Sequence, residues 1–210
     1  NYLGNWINER GTIETQIESI KKKVEGMIKG VCKIGKEELV GKLSTEARLL
    51  MYEKTVVPGV IYNLECWTEI SEKSMKRLEN IQTKILKRLL KLPQSTPSLG
   101  KLKETGIWTI ERRIEYQRLM LYQSMVTSED ERLGKQIIID QKKQGKRSWY
   151  KETKIKARRL GIDLEDAERL KKKEWKKMIK QKIEKDLNEE AEKKEQGARK
   201  TRHQRGQEYG

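Results

Sequence analysis

Several residue types that specialised sites depend on are scarce in this sequence. It has two cysteines, Cys32 and Cys66, and one histidine, His203, which are too few for a disulfide scaffold or a four-ligand zinc site. No apolar run approaches the roughly 18 residues that a membrane-spanning helix needs. We therefore expect both cysteines to be small buried residues, in an intracellular protein of the nucleus or cytoplasm without metal, cofactor or membrane segment.

Paired carboxylates of the kind that hold catalytic metal ions are also missing. The sequence contains no Asp-Asp pair, whereas two-metal sites use carboxylates to position ions that stabilise the attacking and leaving oxygens. Glu65 is a single carboxylate beside Trp67, which favours a capping or salt-bridge role over catalysis. His203 lies in a basic tail without a partner for nucleophilic or metal chemistry. We therefore predict that this chain is not an enzyme.

Positive charge, in contrast, is abundant. The 48 Lys and Arg residues exceed the 32 Asp and Glu residues to give a formal net charge of +16. Such an excess favours a polyanionic partner, because each neutralised phosphate releases condensed counterions. The alternative is a merely solvated basic surface, since helical Lys/Glu faces are common in proteins that bind no nucleic acid.

Hydrophobic periodicity predicts an all-α fold, a helical bundle or array with one short N-terminal strand at Tyr2–Ile7 and a long basic C-terminal helix. Apolar residues recur at spacings of three and four, which places them on one face of each helix. The predicted helices are Thr12–Val31, Thr45–Trp67, Ser71–Leu92, Thr109–Val126 and Asp163–Glu190, with shorter ones over Leu133–Gln144 and Ser148–Gly161.

Local signals predict where these helices begin and end. Ser44 and Ser148 carry hydroxyls suited to N-capping, and Pro58 should interrupt the second helix. Gly106 suits the left-handed residue that closes a helix. The predicted buried residues are Leu78, Ile81, Ile85, Leu89 and Ile114.

The signals that start and stop helices do not explain the order of the unusual residues between Val57 and Arg112. The residues concerned are Pro58, Tyr62, Glu65, Trp67, Leu78, Ile81, Gln82, Leu86, Arg88, Leu89, Leu90, Leu92, Pro93, Ser95, Thr96, Pro97, Glu104, Gly106, Ile107 and Arg112. Their order resembles the segment after the polymerase palm in reverse transcriptases of non-LTR, LINE-type retrotransposons. Tyr2-Leu3-Gly4 with Gly11 resembles the strand and turn that open the thumb in that family. The resemblance covers residues 2–126, and residues 133–187 more loosely.

The resemblance implies a thumb and post-thumb region that grips template–primer nucleic acid. The family's palm carboxylates are absent, and the chain starts directly in front of the Tyr-Leu-Gly motif. We therefore expect a non-catalytic piece, or a decayed remnant, of a larger RNA-directed DNA polymerase. Its partners would be RNA or an RNA–DNA hybrid and the remainder of the polymerase. The expected divisions are a thumb-like helical domain at 1–127, a basic helical extension at 128–190 and a disordered tail at 191–210.

A thumb holds its duplex through the backbone, so it needs cations that face a groove and little base readout. Four cations near the end of the third predicted helix recur at steps of three and four residues, so they share one side. Three successive lysines of the first helix would face the same groove if that helix packs alongside. The predicted nucleic-acid-binding residues are Lys21, Lys22, Lys23, Lys84, Lys87, Arg88, Lys91, Arg112 and Arg113.

An alternative hypothesis is a helical protein-interaction module or an inert retrotransposon remnant. It rests on an apolar stripe in the Lys/Glu-rich final helix that could dock on another helix. The residues of that stripe are Trp175, Met178, Ile183 and Leu187. Ser95-Thr96-Pro97 also allows two roles, helix capping or phosphate binding at a helix start.

Overall fold

A computed structural model of the protein describes residues 13–34, 43–93, 95, 106–144 and 147–208; for residues 28–34 and 194–208 it describes the backbone alone. Helices form the regular structure of these ranges and no strand occurs within them, which confirms the predicted all-α fold. The predicted strand Tyr2–Ile7 lies outside the described residues. The chain divides into two compact units, Asn1–Gln117 and Arg118–Gly210. This boundary falls inside a helix and earlier than the predicted one after residue 127.

Two helices of the first unit begin at serine hydroxyl caps. Ser44 Oγ accepts a hydrogen bond from Ala47 N at 3.2 Å, as predicted, and Ser71 Oγ accepts one from Ser74 N at 3.2 Å. Each bond satisfies a backbone donor that lacks a partner within the first helical turn. The helices are α1 (Glu14–Ile34), α2 (Thr45–Met51), α3 (Val57–Ile61), α4 (Glu72–Leu89) and the part of α5 (Ile110–Val126) up to Gln117.

Pro58 explains why the second predicted helix is irregular. Its nitrogen carries no hydrogen, and in a regular helix its ring meets the carbonyl four residues earlier. A π-helical turn, Tyr52–Val56, lies immediately before α3 and lengthens the hydrogen-bonded loop at this point. After α3, Asn63 takes a left-handed φ of 57° and a 3-10 turn follows at Leu64–Cys66. The sequence predicts the interruption but not its π-helical form.

The core of the first unit lies among α1, α3, α4 and the start of α5. Leu78, Ile85, Leu89 and Ile114 are each no more than 4% exposed, which confirms four of the five predicted core positions. Ile81 is only partly buried, because it lies at the edge of the buried face of α4. Gln82 takes the buried position beside it, where its Nε2 donates to the carbonyl of Trp108 at 2.9 Å.

We expect the substitution Ile85→Ala to lower the free energy of unfolding of the first unit by about 2–5 kcal/mol, because it removes packed apolar atoms and leaves a cavity. Ile85 is 2% exposed. Urea denaturation followed by circular dichroism measures the change. Asn80→Ala, at an exposed position of the same helix, should change stability by about 0.5 kcal/mol or less. Equal stability of Ile85→Ala and the parent would contradict this core assignment.

The second unit begins within α5 and ends on a long basic helix. Ser148 Oγ accepts from Lys151 N at 3.3 Å and caps α7, as predicted. Gly161 follows the end of α7 and has a left-handed φ of 63°. Glycine adopts this conformation with little steric strain because it has no Cβ atom. The helices are the remainder of α5, α6 (Leu133–Lys143), α7 (Trp149–Arg159), α8 (Asp166–Arg169) and α9 (Lys172–Glu208).

The predicted helix Asp163–Glu190 is divided in the structure, because Leu170 is extended at φ −88° and ψ 142°. Glu174 Oε2 accepts from Lys171 N at 3.0 Å, which is one half of a capping box and starts α9. Gln123 Nε2 donates to the carbonyls of Ala167 and Leu170, which satisfies acceptors at the end of α8. These contacts favour two helices over one.

The final helix α9 continues to Glu208, whereas the sequence predicts a disordered tail over residues 191–210. That prediction rests on the shortage of apolar residues after Leu187. The segment is rich in Lys, Glu, Gln, Arg and Ala, which are strong helix formers even without a buried face. Helical propensity therefore replaces core packing as the reason for order along this part of α9.

The apolar stripe of α9 is packed inside the second unit. Trp175, Ile179 and Ile183 are each 0% exposed, and Trp175 Nε1 donates to the carbonyl of Leu119 at 3.1 Å. Trp175 and Ile183 of the predicted stripe are therefore core residues of the second unit, whereas Met178 and Leu187 of the same stripe are half-buried.

The exposure of Cys66 contradicts the prediction that both cysteines are buried. This cysteine is exposed at the end of the 3-10 turn, so it is not a buried residue as predicted, whereas the side chain of Cys32 lies outside the described residues. In the described ranges no helix is long and apolar enough to cross a membrane.

Candidate nucleic-acid interface

The predicted cations of α4 lie on one exposed side near its carboxyl end. Lys84, Arg88 and Lys91 are exposed and Lys87 is half-buried. The buried residues Ile85 and Leu89 hold the opposite face of the helix against the core and so direct these cations outward. Within the part of the chain that the structure describes, the side chains of Lys84, Arg88 and Lys91 have no ion-pair partner.

Lys91 closes α4 in a conformation that glycine usually adopts. Its φ is 54°, a left-handed value that costs an L-residue about 1–2 kcal/mol. Leu92 N donates to the carbonyl of Lys87 at 2.8 Å and Lys91 N to that of Arg88 at 3.3 Å, the paired bonds of a Schellman motif. A lysine at this position places an ammonium group where the helix dipole favours a cation and extends the row of Lys84 and Arg88.

Helix α1 packs alongside α4, which is the condition for its lysines to join the same groove. Ser74 Oγ lies 3.3 Å from Glu14 Oε1, and one turn further along each helix Arg77 forms an ion pair with Glu18. Successive turns of α1 therefore meet successive turns of α4 in the same order, so the two helices run in parallel.

The lysines of α1 lie one turn beyond the Glu18–Arg77 ion pair. Lys22 lies one turn beyond Glu18, and Lys84 lies two turns beyond Arg77, so both helices carry cations in the same direction along the packed pair. Lys21, Lys22 and Lys23 are all exposed. The ammonium of Lys23 lies 5.7 Å from the ring centroid of Tyr62, a cation–π distance, which leaves Lys21 and Lys22 as the more available cations.

Two of the predicted interface residues are placed elsewhere. Arg112 is 2% exposed and its Nη1 lies 3.0 Å from Oε2 of the equally buried Glu115. Arg113 forms a bidentate ion pair with Glu53, in which Nη1 lies 2.9 Å from Oε2 and Nη2 contacts Oε1. The prediction that these arginines face outward is wrong, because their charges are paired inside the first unit, where removing one partner is costly.

The described part of the chain contains no group of three or more His, Cys, Asp and Glu residues that could hold a metal ion. Burial raises the pKa of Glu65, which lies half-buried in the 3-10 turn, so this carboxyl is a weaker acid than an exposed glutamate. Trp67 packs partly buried against the core, as expected for a structural tryptophan.

Comparison of the chain with protein-family models, with curated proteins and with solved structures finds no match. The resemblance to LINE-type reverse transcriptases stays a prediction. Of the Ser95-Thr96-Pro97 turn, Thr96 and Pro97 lie outside the described residues, so its two predicted roles stay open.

Two further exposed cations lie on α7 and were not predicted from the sequence. Lys154 and Arg158 of α7 are exposed and, among the described residues, have no ion-pair partner. They follow Tyr150 at steps of four residues, so the three residues lie on one side of the helix. This spacing is visible in the sequence and would have identified them.

Proposed function

We propose that the first unit binds the phosphate backbone of template–primer nucleic acid, as a thumb-like and non-catalytic part of a retrotransposon reverse transcriptase. The contact would be made by a basic surface of exposed cations on two packed helices. This α1–α4 basic surface consists of Lys21, Lys22, Lys84, Arg88 and Lys91. The observation that carries the proposal is that none of these five cations forms an ion pair with another of the described residues.

The neighbouring charges support this interpretation over a merely solvated basic surface. Arg77, Arg112 and Arg113 are each paired with a carboxylate of the first unit, so acidic partners are available and used. Where the structure describes their surroundings, the cations of the basic surface stay unpaired beside them. A phosphate chain could occupy those positions and release its counterions without any contact to the bases.

The rigidity of α4 also supports the proposal. The cations of α4 are mounted on a helix whose other face is buried through Leu78, Ile85 and Leu89. A helix held in this way loses little conformational entropy when its side chains meet a ligand. A surface that tracks a duplex backbone needs this stiffness more than it needs sequence-specific groups.

The test is the affinity of the full chain for an RNA–DNA hybrid as a function of salt, measured by fluorescence anisotropy. If each of the five cations neutralises one phosphate, log K should fall with log salt at a slope of about −4.5. Hybrids of unrelated sequence should bind alike, because phosphates carry no sequence information. Absence of binding at low salt, or a slope near zero, would contradict the proposal.

The protein-interaction alternative has less support than the sequence suggested, because only Met178 and Leu187 of its four stripe residues keep part of their surface exposed. Its stripe on α9 is centred on Trp175 and Ile183, both fully buried within the second unit. We therefore propose no second function.

A further inference from the structure

The second unit contains an open cleft of about 880 Å³ that the sequence analysis did not predict. The cleft is lined by residues of the end of α5, of α6, of α7, of the segment that leads into α8 and of α8 itself. Its lining combines two tyrosines with several charged side chains, among them Lys154 and Arg158. This combination of rings and cations differs from the α1–α4 basic surface, which presents cations alone.

The tyrosines form a small aromatic platform. The ring centroids of Tyr122 and Tyr150 are 6.1 Å apart and the ring planes are inclined by 31°. Tyr122 is buried and supports Tyr150, which is half-exposed in the cleft. The ammonium of Lys142 lies over the ring of Tyr150, 5.8 Å from its centroid, so a group that stacks on Tyr150 shares the ring with this cation. A flat apolar group of ligand size could stack here.

The carboxylates of the cleft are already engaged. Glu168 lies 3.7 Å from the ammonium of Lys142, Glu165 lies 3.4 Å from the guanidinium of Arg169, and Asp163 Oδ1 accepts from the backbone of Glu165 at 3.0 Å. The negative charges of Glu165 and Glu168 are therefore partly offset by neighbouring cations, and the Asp163 carboxylate is held by a backbone hydrogen bond.

The cations on α7 are available in contrast. Lys154 and Arg158 follow Tyr150 at successive turns of the helix, line the cleft and are exposed, and in the described residues neither has an ion pair. Successive turns are about 5.4 Å apart. An aromatic ring followed by two cations along one helix is the arrangement that suits a base followed by its phosphates.

We propose that this cleft binds a nucleotide unit of single-stranded nucleic acid, with a base stacked on Tyr150 and phosphates at Lys154 and Arg158. The bases of a duplex are stacked on one another, so the platform selects unpaired strands, whereas the α1–α4 basic surface would hold a paired backbone. Stacking on tyrosine tolerates every base, so the cleft has little sequence preference. The inference concerns a separate site in the second unit and does not rest on the proposed function of the first.

The test uses the full chain and a fluorescently labelled oligouridylate of about ten nucleotides, a length within the range of known single-strand sites. The double variant Lys154→Gln/Arg158→Gln should weaken binding of the oligouridylate by about tenfold or more at 0.1 M salt, since two phosphate contacts are lost. The matched control is Lys176→Gln/Lys180→Gln, which removes the same charge from exposed positions of α9 outside the cleft. The control should bind the oligouridylate nearly as tightly as the parent.

Substitutions of Tyr150 distinguish the contribution of base stacking to affinity from that of charge. Tyr150→Phe keeps the ring and should bind nearly as the parent does, whereas Tyr150→Ala should lose about tenfold in affinity. Photo-crosslinking of an oligonucleotide that carries 5-iodouridine, mapped by mass spectrometry, should give adducts at Tyr150. Binding of an RNA–DNA hybrid should not change in any of these variants, so the outcome for this cleft is independent of the outcome for the first unit.

Three results would overturn the inference. The first is an unchanged oligouridylate affinity in Lys154→Gln/Arg158→Gln. The second is crosslinking confined to residues outside the cleft. The third is displacement of the oligouridylate by uridine monophosphate at equal phosphate concentration, which would identify a site for free nucleotides instead of a strand.

Discussion

The triple variant Lys84→Gln/Arg88→Gln/Lys91→Gln is expected to bind an RNA–DNA hybrid two to three orders of magnitude more weakly than the parent at about 0.1 M salt, because each lost phosphate contact reduces the salt slope by roughly 0.9. The three side chains are exposed on α4, so glutamine replaces their charge without disturbing the core. The loss should be the same for hybrids of any sequence, and it should shrink as salt rises.

A matched control removes the same charge elsewhere. Lys172→Gln/Lys176→Gln/Lys180→Gln changes three exposed lysines of α9 and lowers the net charge equally. If binding depends only on net charge, both triple variants should lose affinity to the same extent. The α1–α4 basic surface predicts a large loss in the first and a small one in the second, and a hybrid affinity in the first that equals the parent's would contradict it.

The substitution Trp175→Ala should destabilise the second unit by about 3–5 kcal/mol, because it empties the largest fully buried side-chain position of α9. It also removes the indole donor that bonds the carbonyl of Leu119 at 3.1 Å. A loss of this size is a large part of the stability of a small domain. Urea denaturation followed by far-UV circular dichroism measures it without relying on tryptophan fluorescence.

The substitution Trp175→Phe distinguishes the stability that comes from apolar packing from the stability that comes from the indole hydrogen bond. Phenylalanine retains most of the apolar contact and loses the N–H donor, so the expected cost is smaller, about 1–2 kcal/mol. Equal stability of Trp175→Ala and the parent would mean that α9 is not held by this face. In that case the stripe of α9 would again be available as a surface for another protein.

Element type was predictable where one physical signal dominates. The apolar spacing of α4 identifies its buried face, the hydroxyls of Ser44 and Ser148 identify helix starts, and Gly106 has the expected left-handed φ of 64°. These signals act within a few residues, so the sequence displays them directly. The division at Leu170 depends instead on Gln123, which bonds carbonyls 44 and 47 residues away. No local pattern reveals such a contact.

At the candidate interface, too, the sequence predicts features set by local spacing but not those set by long-range contacts. The exposure of Lys84 and Arg88 follows from the periodicity of their own helix, so it was predictable. The pairing of Arg112 with Glu115 was also visible, since the two residues are three apart on one helix. The pairing of Arg113 with Glu53 joins residues 60 apart and requires the tertiary fold. A basic residue on a helix therefore identifies a binding cation only after its long-range partners are known.

The most direct measurement of where nucleic acid lies is chemical footprinting of lysines. The full chain is acetylated with a succinimidyl ester in the presence and absence of an RNA–DNA hybrid, and modified lysines are mapped by mass spectrometry. The α1–α4 basic surface predicts that the hybrid protects Lys21, Lys22, Lys84 and Lys91, while Lys172, Lys176 and Lys180 of α9 react equally in both conditions. Protection confined to lysines after Val126, with those four unchanged, would contradict it.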